Sequence, residues 1–161
     1  MNKIGFGGGC HWCTEAIFQA FHGVDRVEQG WIASVAPDDA FSEAVVVHFN
    51  EEITLDTLIE VHLLTHSSSS AHSMREKYRS AVYYFDGGDN ETIKRRILQL
   101  SSQNNLTYIT RSLVFSRFRK NTENQLNYYL KNKEAPFCQT YISPKLALIR
   151  KKFGGQAHGD F

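Results

Sequence analysis

The chain has 161 residues, 42% of them hydrophobic, which suits one domain with a core of its own. Lys and Arg number 18 against 17 Asp and Glu, a formal charge of +1, so the charge points to neither nucleic acid nor an anionic membrane as partner. No run approaches the ~20 apolar residues of a membrane span, and the first apolar run begins by residue 4, leaving no room for a signal peptide; a cytoplasmic monomer is expected.

Lys3 to Gly8 reads as a short strand that feeds the glycine turn Gly7-Gly8-Gly9. From Cys10 the apolar positions Cys13, Ile17, Ala20 and Phe21 recur at helical spacing, with Gly23 as the stop. Val24 to Ala33 and Glu43 to Phe49 follow as strands, separated by a break at Pro37-Asp38-Asp39; the run Ala44-Val45-Val46-Val47 is strongly strand-forming. Thr54 to Thr65 is an amphipathic helix capped by Thr54 or Asp56, and His66 to Ser73 a polar, serine-rich loop. Arg79 to Phe85 gives a strand, Glu91 to Leu100 a helix, Thr107 to Phe115 a strand and Asn121 to Leu130 a helix. Pro144 to Phe153 is a last helix with proline in its first turn. Strands interleaved with helices predict an α+β fold, a two-layer sandwich of helices on a mixed sheet. A single domain is expected over 1–153, with a mobile tail over 154–161.

Three cysteines, an odd number that includes a Cys10-x-x-Cys13 pair, read as redox or metal chemistry in a reducing compartment more than as a disulfide scaffold. Cys10 falls at a helix start, where unpaired N–H groups and the positive end of the helix dipole favour thiolate over thiol; it is the candidate nucleophile. Cys13, one turn on, faces the same side and could close a disulfide with it. A competing use of these residues is a zinc site of Cys10, Cys13, His66 and His72, with His11 as a further ligand, although His-x₅-His is a long spacing for it.

Gly-Gly-Cys10-x-Trp12-Cys13-x-Glu15 with Phe18, Gly23-Val24, Val27 and Gly30 resembles the start of the peptide methionine sulfoxide reductase A family. Ser42-Glu43-Ala44-Val45 is similar to its His-Ala-Glu-Ala-Val strand, Lys77-Tyr78-Arg79-Ser80 to its Gln-Tyr-Arg-Ser segment, and Phe137-Cys138 to Lys145-Leu146 to its C-terminal signature. The resemblance implies a ferredoxin-like split βαβ core with extra C-terminal elements. It also implies a peptide-methionine (S)-S-oxide reductase acting on peptide-bound or free methionine sulfoxide, with no cofactor beyond an external dithiol such as thioredoxin. In that reaction a thiolate attacks the sulfoxide sulfur, leaving methionine and a cysteine sulfenic acid; a second thiol then condenses with it to a disulfide, which the dithiol reduces. On this pattern Cys10 is the nucleophile, Glu43 the acid at the sulfoxide oxygen, Tyr78 a donor to it, and Trp12 the wall for the substrate methyl group. Cys13 is preferred as the resolving thiol because its reach follows from helix spacing; Cys138 is the other candidate.

The chain departs from the family around this set. His11 replaces the usual Phe, making one wall polar and titratable; it could act as a base toward Cys10, although adjacent helical residues point apart. Trp31 stands where the family has a second oxygen-binding Tyr, and Ser73 where an aspartate is expected. The segment Ala33 to Phe41 is shorter than the family loop, and Asn124-Gln125-Leu126 replaces a Tyr-His-Gln run. Two consequences stay open: a shifted small-sulfoxide substrate, or a relative that kept the thiol as a redox sensor.

Overall fold

The computed structural model describes residues 2–66 and 78–158. Six strands form one mixed sheet: β1 (Asn2–Gly7), β2 (Val24–Ala33), β3 (Ser42–Phe49), β4 (Ala81–Tyr84), β5 (Arg111–Val114) and β6 (Arg117–Lys120). Among the described residues five α-helices join them: α1 (His11–Gln19), α2 (Leu55–Thr65), α3 (Asp89–Asn104), α4 (Tyr128–Lys131) and α5 (Ser143–Phe153). The sheet order is β5-β4-β1-β3-β2-β6, antiparallel throughout except for the parallel β4–β5 pair. The β1-α1-β2 crossover leaves room for β3, and β3-α2-β4 leaves room for β1, so the two βαβ units interlock.

β3 lies between β1 and β2 and is buried along its whole length, with the apolar run Ala44 to Val47 at its centre and Ser42, Glu43 and His48 as buried polar residues toward its ends. Alternation along the strand divides them: Val45 and Val47 enter the main core with Phe6, Phe18, Leu58, Ile59, Leu146 and Ile149, while Ala44 and Val46 join Ile32 and Tyr83 in a smaller cluster. The Phe6 and Phe18 rings stack at 4.5 Å and lock α1 onto β1. Thr54 caps α2, its Oγ1 accepting from the Thr57 N–H at 3.1 Å.

The sequence and the structure differ most after residue 104. The expected strand over Thr107 to Phe115 shrinks to β5, and β6 follows it at the other edge of the sheet, a strand whose run of Arg-Phe-Arg-Lys gives no apolar alternation to read. The helix expected over Asn121 to Leu130 is broken: a 3₁₀ turn spans Glu123–Gln125, Leu126 is extended, and Asn127 takes φ +55 before α4 begins. Cys138–Ile142 form a π-helical turn leading into α5. α1 ends at Gln19, before Gly23, because Phe21 pairs as an isolated bridge with Ala157. The start of the tail expected to be mobile thus folds back on the core, and the His158 N–H donates to the Ala20 carbonyl at 2.7 Å.

Candidate active site

Register collects the site at one end of the sheet. Gly7 of β1 pairs with Ala44 of β3 and with Ala81 of β4, so the exit of β1, the start of β3 and the start of β4 lie side by side. Cys10 follows β1, Glu43 opens β3 and Tyr78 precedes β4. The Arg79 N–H donates to Ser42 Oγ at 2.8 Å and ties the half-buried Tyr78 to the end of β3 that carries Glu43. The turn at Gly8 has φ +139, and a Cβ there would lie 2.6 Å from the His66 ring, so only glycine fits.

Cys10 is the residue immediately before α1, extended at φ −60 and ψ 131, and partly exposed. Its carbonyl accepts the Cys13 and Thr14 N–H groups at 3.1 Å each. Its thiol is lowered from the ordinary cysteine value, first by the S–H that Cys13 donates to it and then by the Trp12 and Cys13 N–H groups; burial and the nearby Glu43 charge oppose this. Cys13 is 4% exposed and pushed far up, by the same bond and by burial, so it stays a thiol. One turn of helix therefore sets a thiolate-prone sulfur beside a protonated one. Cys138 is fully buried, pushed up by that burial, and near enough to Cys13 to act on its titration.

Glu43 is 6% exposed, so the solvent-facing glutamate common on strands is not what β3 holds here. Its Oε1 accepts the His11 N–H at 3.2 Å and lies 3.5 Å from His11 Nε2. Trp31, opposite Glu43 on β2, meets the His11 ring edge-on at 5.1 Å. Trp12 carries a cover of its own: the Tyr128 ring stacks on it at 4.0 Å and Phe137 meets it edge-on at 5.4 Å. Of the proposed zinc donors, His66 is spent on the Ser80 hydroxyl at 2.9 Å and on the His62 carbonyl. His72 and Ser73 lie outside the described residues, among which no group of three or more His, Cys, Asp or Glu gathers around one point.

A buried polar chain behind these residues has no simple sequence signal. Glu15, 2% exposed, accepts the Asn127 N–H at 3.0 Å, the Tyr128 N–H at 3.2 Å and the Gln29 amide at 2.9 Å. It thereby holds the irregular 126–128 segment that presents the Tyr128 ring to Trp12. Gln29 in turn accepts from Asn121 Nδ2 at 2.7 Å, and the same amide lies 3.3 Å from His11 Nε2. In α1 itself Glu15 is buried together with His11, Cys13, Thr14, Ala16, Ile17 and Phe18. Gly30, whose carbonyl accepts from His11 Nδ1 at 2.9 Å, must lack a side chain because a Cβ there would lie 2.0 Å from the Arg119 carbonyl oxygen.

Burial pushes the Glu15 carboxyl up, although the three N–H donors work against it. The folded state therefore holds the Glu15 proton more tightly than the unfolded chain does, and its contribution to stability is lost as pH rises through that raised value. Measured by urea unfolding across pH, the stability of the wild type relative to Glu15→Gln should fall as pH rises above the ordinary glutamate value of ~4.3. A difference that does not change with pH would show that Glu15 titrates alike folded and unfolded.

Comparison with known proteins bears on the family and the fold. A sequence profile described as peptide methionine sulfoxide reductase matches residues 2–157. The peptide methionine sulfoxide reductase MsrA of Chromobacterium violaceum is 32% identical over 170 aligned positions, covering 95% of this chain and 97% of that protein. In fold, the chain is similar to reduced Mxr1 of Saccharomyces cerevisiae, with a TM-score of 0.74 at 19% identity over 86% of this chain and 90% of that one. Mxr1 in complex with Trx2 gives a TM-score of 0.61 at 17% identity, covering 76% and 81%. With the profile spanning nearly its whole length and Cys10, Glu43 and Tyr78 brought to one end of the sheet, the chain belongs to the peptide methionine sulfoxide reductase family.

Proposed function

We propose that this chain reduces the S epimer of methionine sulfoxide, in peptides or free, with a thioredoxin-like dithiol as the reductant and no bound cofactor. The observation that carries the reading is the Cys10 thiol, lowered by the S–H of Cys13 and within reach of the charge of a buried Glu43. Cys10 attacks the sulfoxide sulfur as thiolate while Glu43, with Tyr78 as a second donor, protonates the oxygen. Oxygen passes to Cys10 as a sulfenic acid and methionine leaves. Cys13 then condenses with the sulfenic acid, forming the disulfide and releasing water. Its position beside Cys10 favours it over Cys138, and its high thiol value keeps the proton it must give to the departing hydroxide.

Trp12, backed by Tyr128 and Phe137, offers an apolar surface to the substrate methyl group. His11 and Trp31 replace an all-apolar wall and a hydroxyl donor, so substrate orientation rests on Glu43 and Tyr78. The relative from C. violaceum carries the reductase name, and the thioredoxin complex of Mxr1 supports the choice of reductant. A monomer in the cytoplasm, where thiols stay reduced, completes the reading. The test is reduction of racemic N-blocked methionine sulfoxide with dithiothreitol, resolving the two epimers. Loss of the S epimer alone is expected; a folded enzyme that consumes neither epimer overturns the proposal.

A further inference from the structure

We propose that Arg117 and Arg119 dock an acidic residue of the substrate polypeptide, one to three positions from its methionine sulfoxide. The inference deepens the reductase reading and rests on it.

Strand register puts both arginines beside the site. Trp31 of β2 stands opposite Glu43 of β3 on one side and opposite Arg119 of β6 on the other, so the three make one row across the sheet. Residues directly opposite in paired strands share a face. Arg119 therefore projects from the face that carries Glu43, on which the His11 ring also meets Trp31, and its backbone lies two strand spacings away, about 10 Å. Arg117, two residues earlier, projects from the same face opposite the small Ala33. Both guanidinium groups lie on one ring, that of Phe41 just before β3: Arg119 is 4.4 Å from its centre and Arg117 is 5.0 Å.

The charges there are unbalanced. Both arginines are exposed, and among the described residues neither guanidinium has a carboxylate within ion-pair distance. The acids close by along the chain are engaged elsewhere or turned away. Asp38 is held by Arg111 through bonds of 2.7 and 3.2 Å, Glu123 pairs with Lys120 at 3.4 Å, and Asp39 gives Arg117 its backbone carbonyl at 3.3 Å. Two cations held on one ring repel each other, and a carboxylate that reaches both relieves this while using the paired N–H groups that suit arginine to it. Stacking on Phe41 also orders the two side chains beforehand, which lowers the entropy lost on binding.

The occupant follows from charge and distance. Two arginines match a single carboxylate; a nucleic acid would call for a broader basic face than a chain of net charge +1 offers. With the sulfoxide at Glu43, a gap of about 10 Å is one to three residues of extended chain at about 3.3–3.6 Å each. An Asp or Glu near the oxidised methionine therefore falls on the arginines.

The test uses matched peptides that carry methionine sulfoxide with Glu or Gln two residues away, on either side, and dithiothreitol as reductant. At low ionic strength the wild type should show a kcat/KM about threefold to tenfold higher for a Glu peptide, expressed in KM, and about 0.5 M NaCl should remove most of the difference. With Arg117→Gln and Arg119→Gln combined, the Glu and Gln peptides should be used alike; the corresponding double Lys variant should keep part of the preference. Arg119→Glu should shift selectivity toward a Lys peptide. Equal use of both peptides by the wild type, or a Glu preference that survives the double Gln variant, overturns the proposal. A preference confined to N-acetyl-methionine sulfoxide over its amide would put the substrate's own carboxylate on the arginines and overturns it as well. Calorimetric binding of the same peptides to Cys10→Ser should show the same ratio without turnover. That ratio, beside a wild type that reduces no sulfoxide, would sink the reductase reading alone.

Discussion

Replacing Cys10 by serine should lower sulfoxide turnover by on the order of 10³-fold or more, the loss that follows removal of a covalent nucleophile. Serine keeps the size and the place before α1, but its hydroxyl stays protonated where the Cys10 thiol is lowered by the Cys13 S–H and by two backbone N–H groups. The fold should be untouched, since Cys10 only borders the core. Cys13→Ala makes the complementary case. It removes the resolving thiol and the donor that lowers Cys10, so the enzyme should stop after about one sulfoxide per chain unless free dithiol attacks the sulfenic acid directly. Its iodoacetamide alkylation profile should also move to higher pH. Steady turnover in Cys10→Ser would remove this cysteine from the mechanism, and an unshifted alkylation profile in Cys13→Ala would remove the thiol–thiol bond from its activation.

Glu43→Gln should cost about 10²–10⁴-fold in kcat/KM, the range for loss of a positioned general acid. The amide still accepts the His11 N–H that Glu43 Oε1 accepts at 3.2 Å, so the local structure should persist. What it cannot do is give a proton to the sulfoxide oxygen. The two thiol readouts separate this from a general injury. Glu43 raises the Cys10 thiol through its charge, so removing that charge should make Cys10 easier to ionise. Alkylation should therefore be as fast as in the wild type or faster, while reduction of the sulfoxide collapses. If both fell together, Glu43 would be holding the cysteine in place rather than supplying a proton.

Much of this was legible along the chain because it is written in local patterns. The ten residues of β2 and the helix opened by Thr54 follow from alternation and a cap, each readable within one window. Cys10 at a helix start follows from the glycine turn before it. The segment after Asn121 misled because its composition is helical enough, whereas the backbone there answers to Glu15, which lies 112 residues away and claims the Asn127 N–H that a continuous helix would have used.

By itself the sequence determined the interleaved strands and helices, the thiol pair one turn apart and the residue types gathered near it, since propensity, periodicity and spacing act over a few residues. Only the tertiary structure decided that Glu43 is buried against His11, that β6 closes the sheet edge beside Gly30, and that Asn121, Gln29 and Glu15 form one oriented chain behind the site. Those contacts join positions 14 to 112 residues apart, and a side-chain hydrogen bond across such distances leaves no period in the sequence; it exists only once strand register and helix docking have set both partners in place.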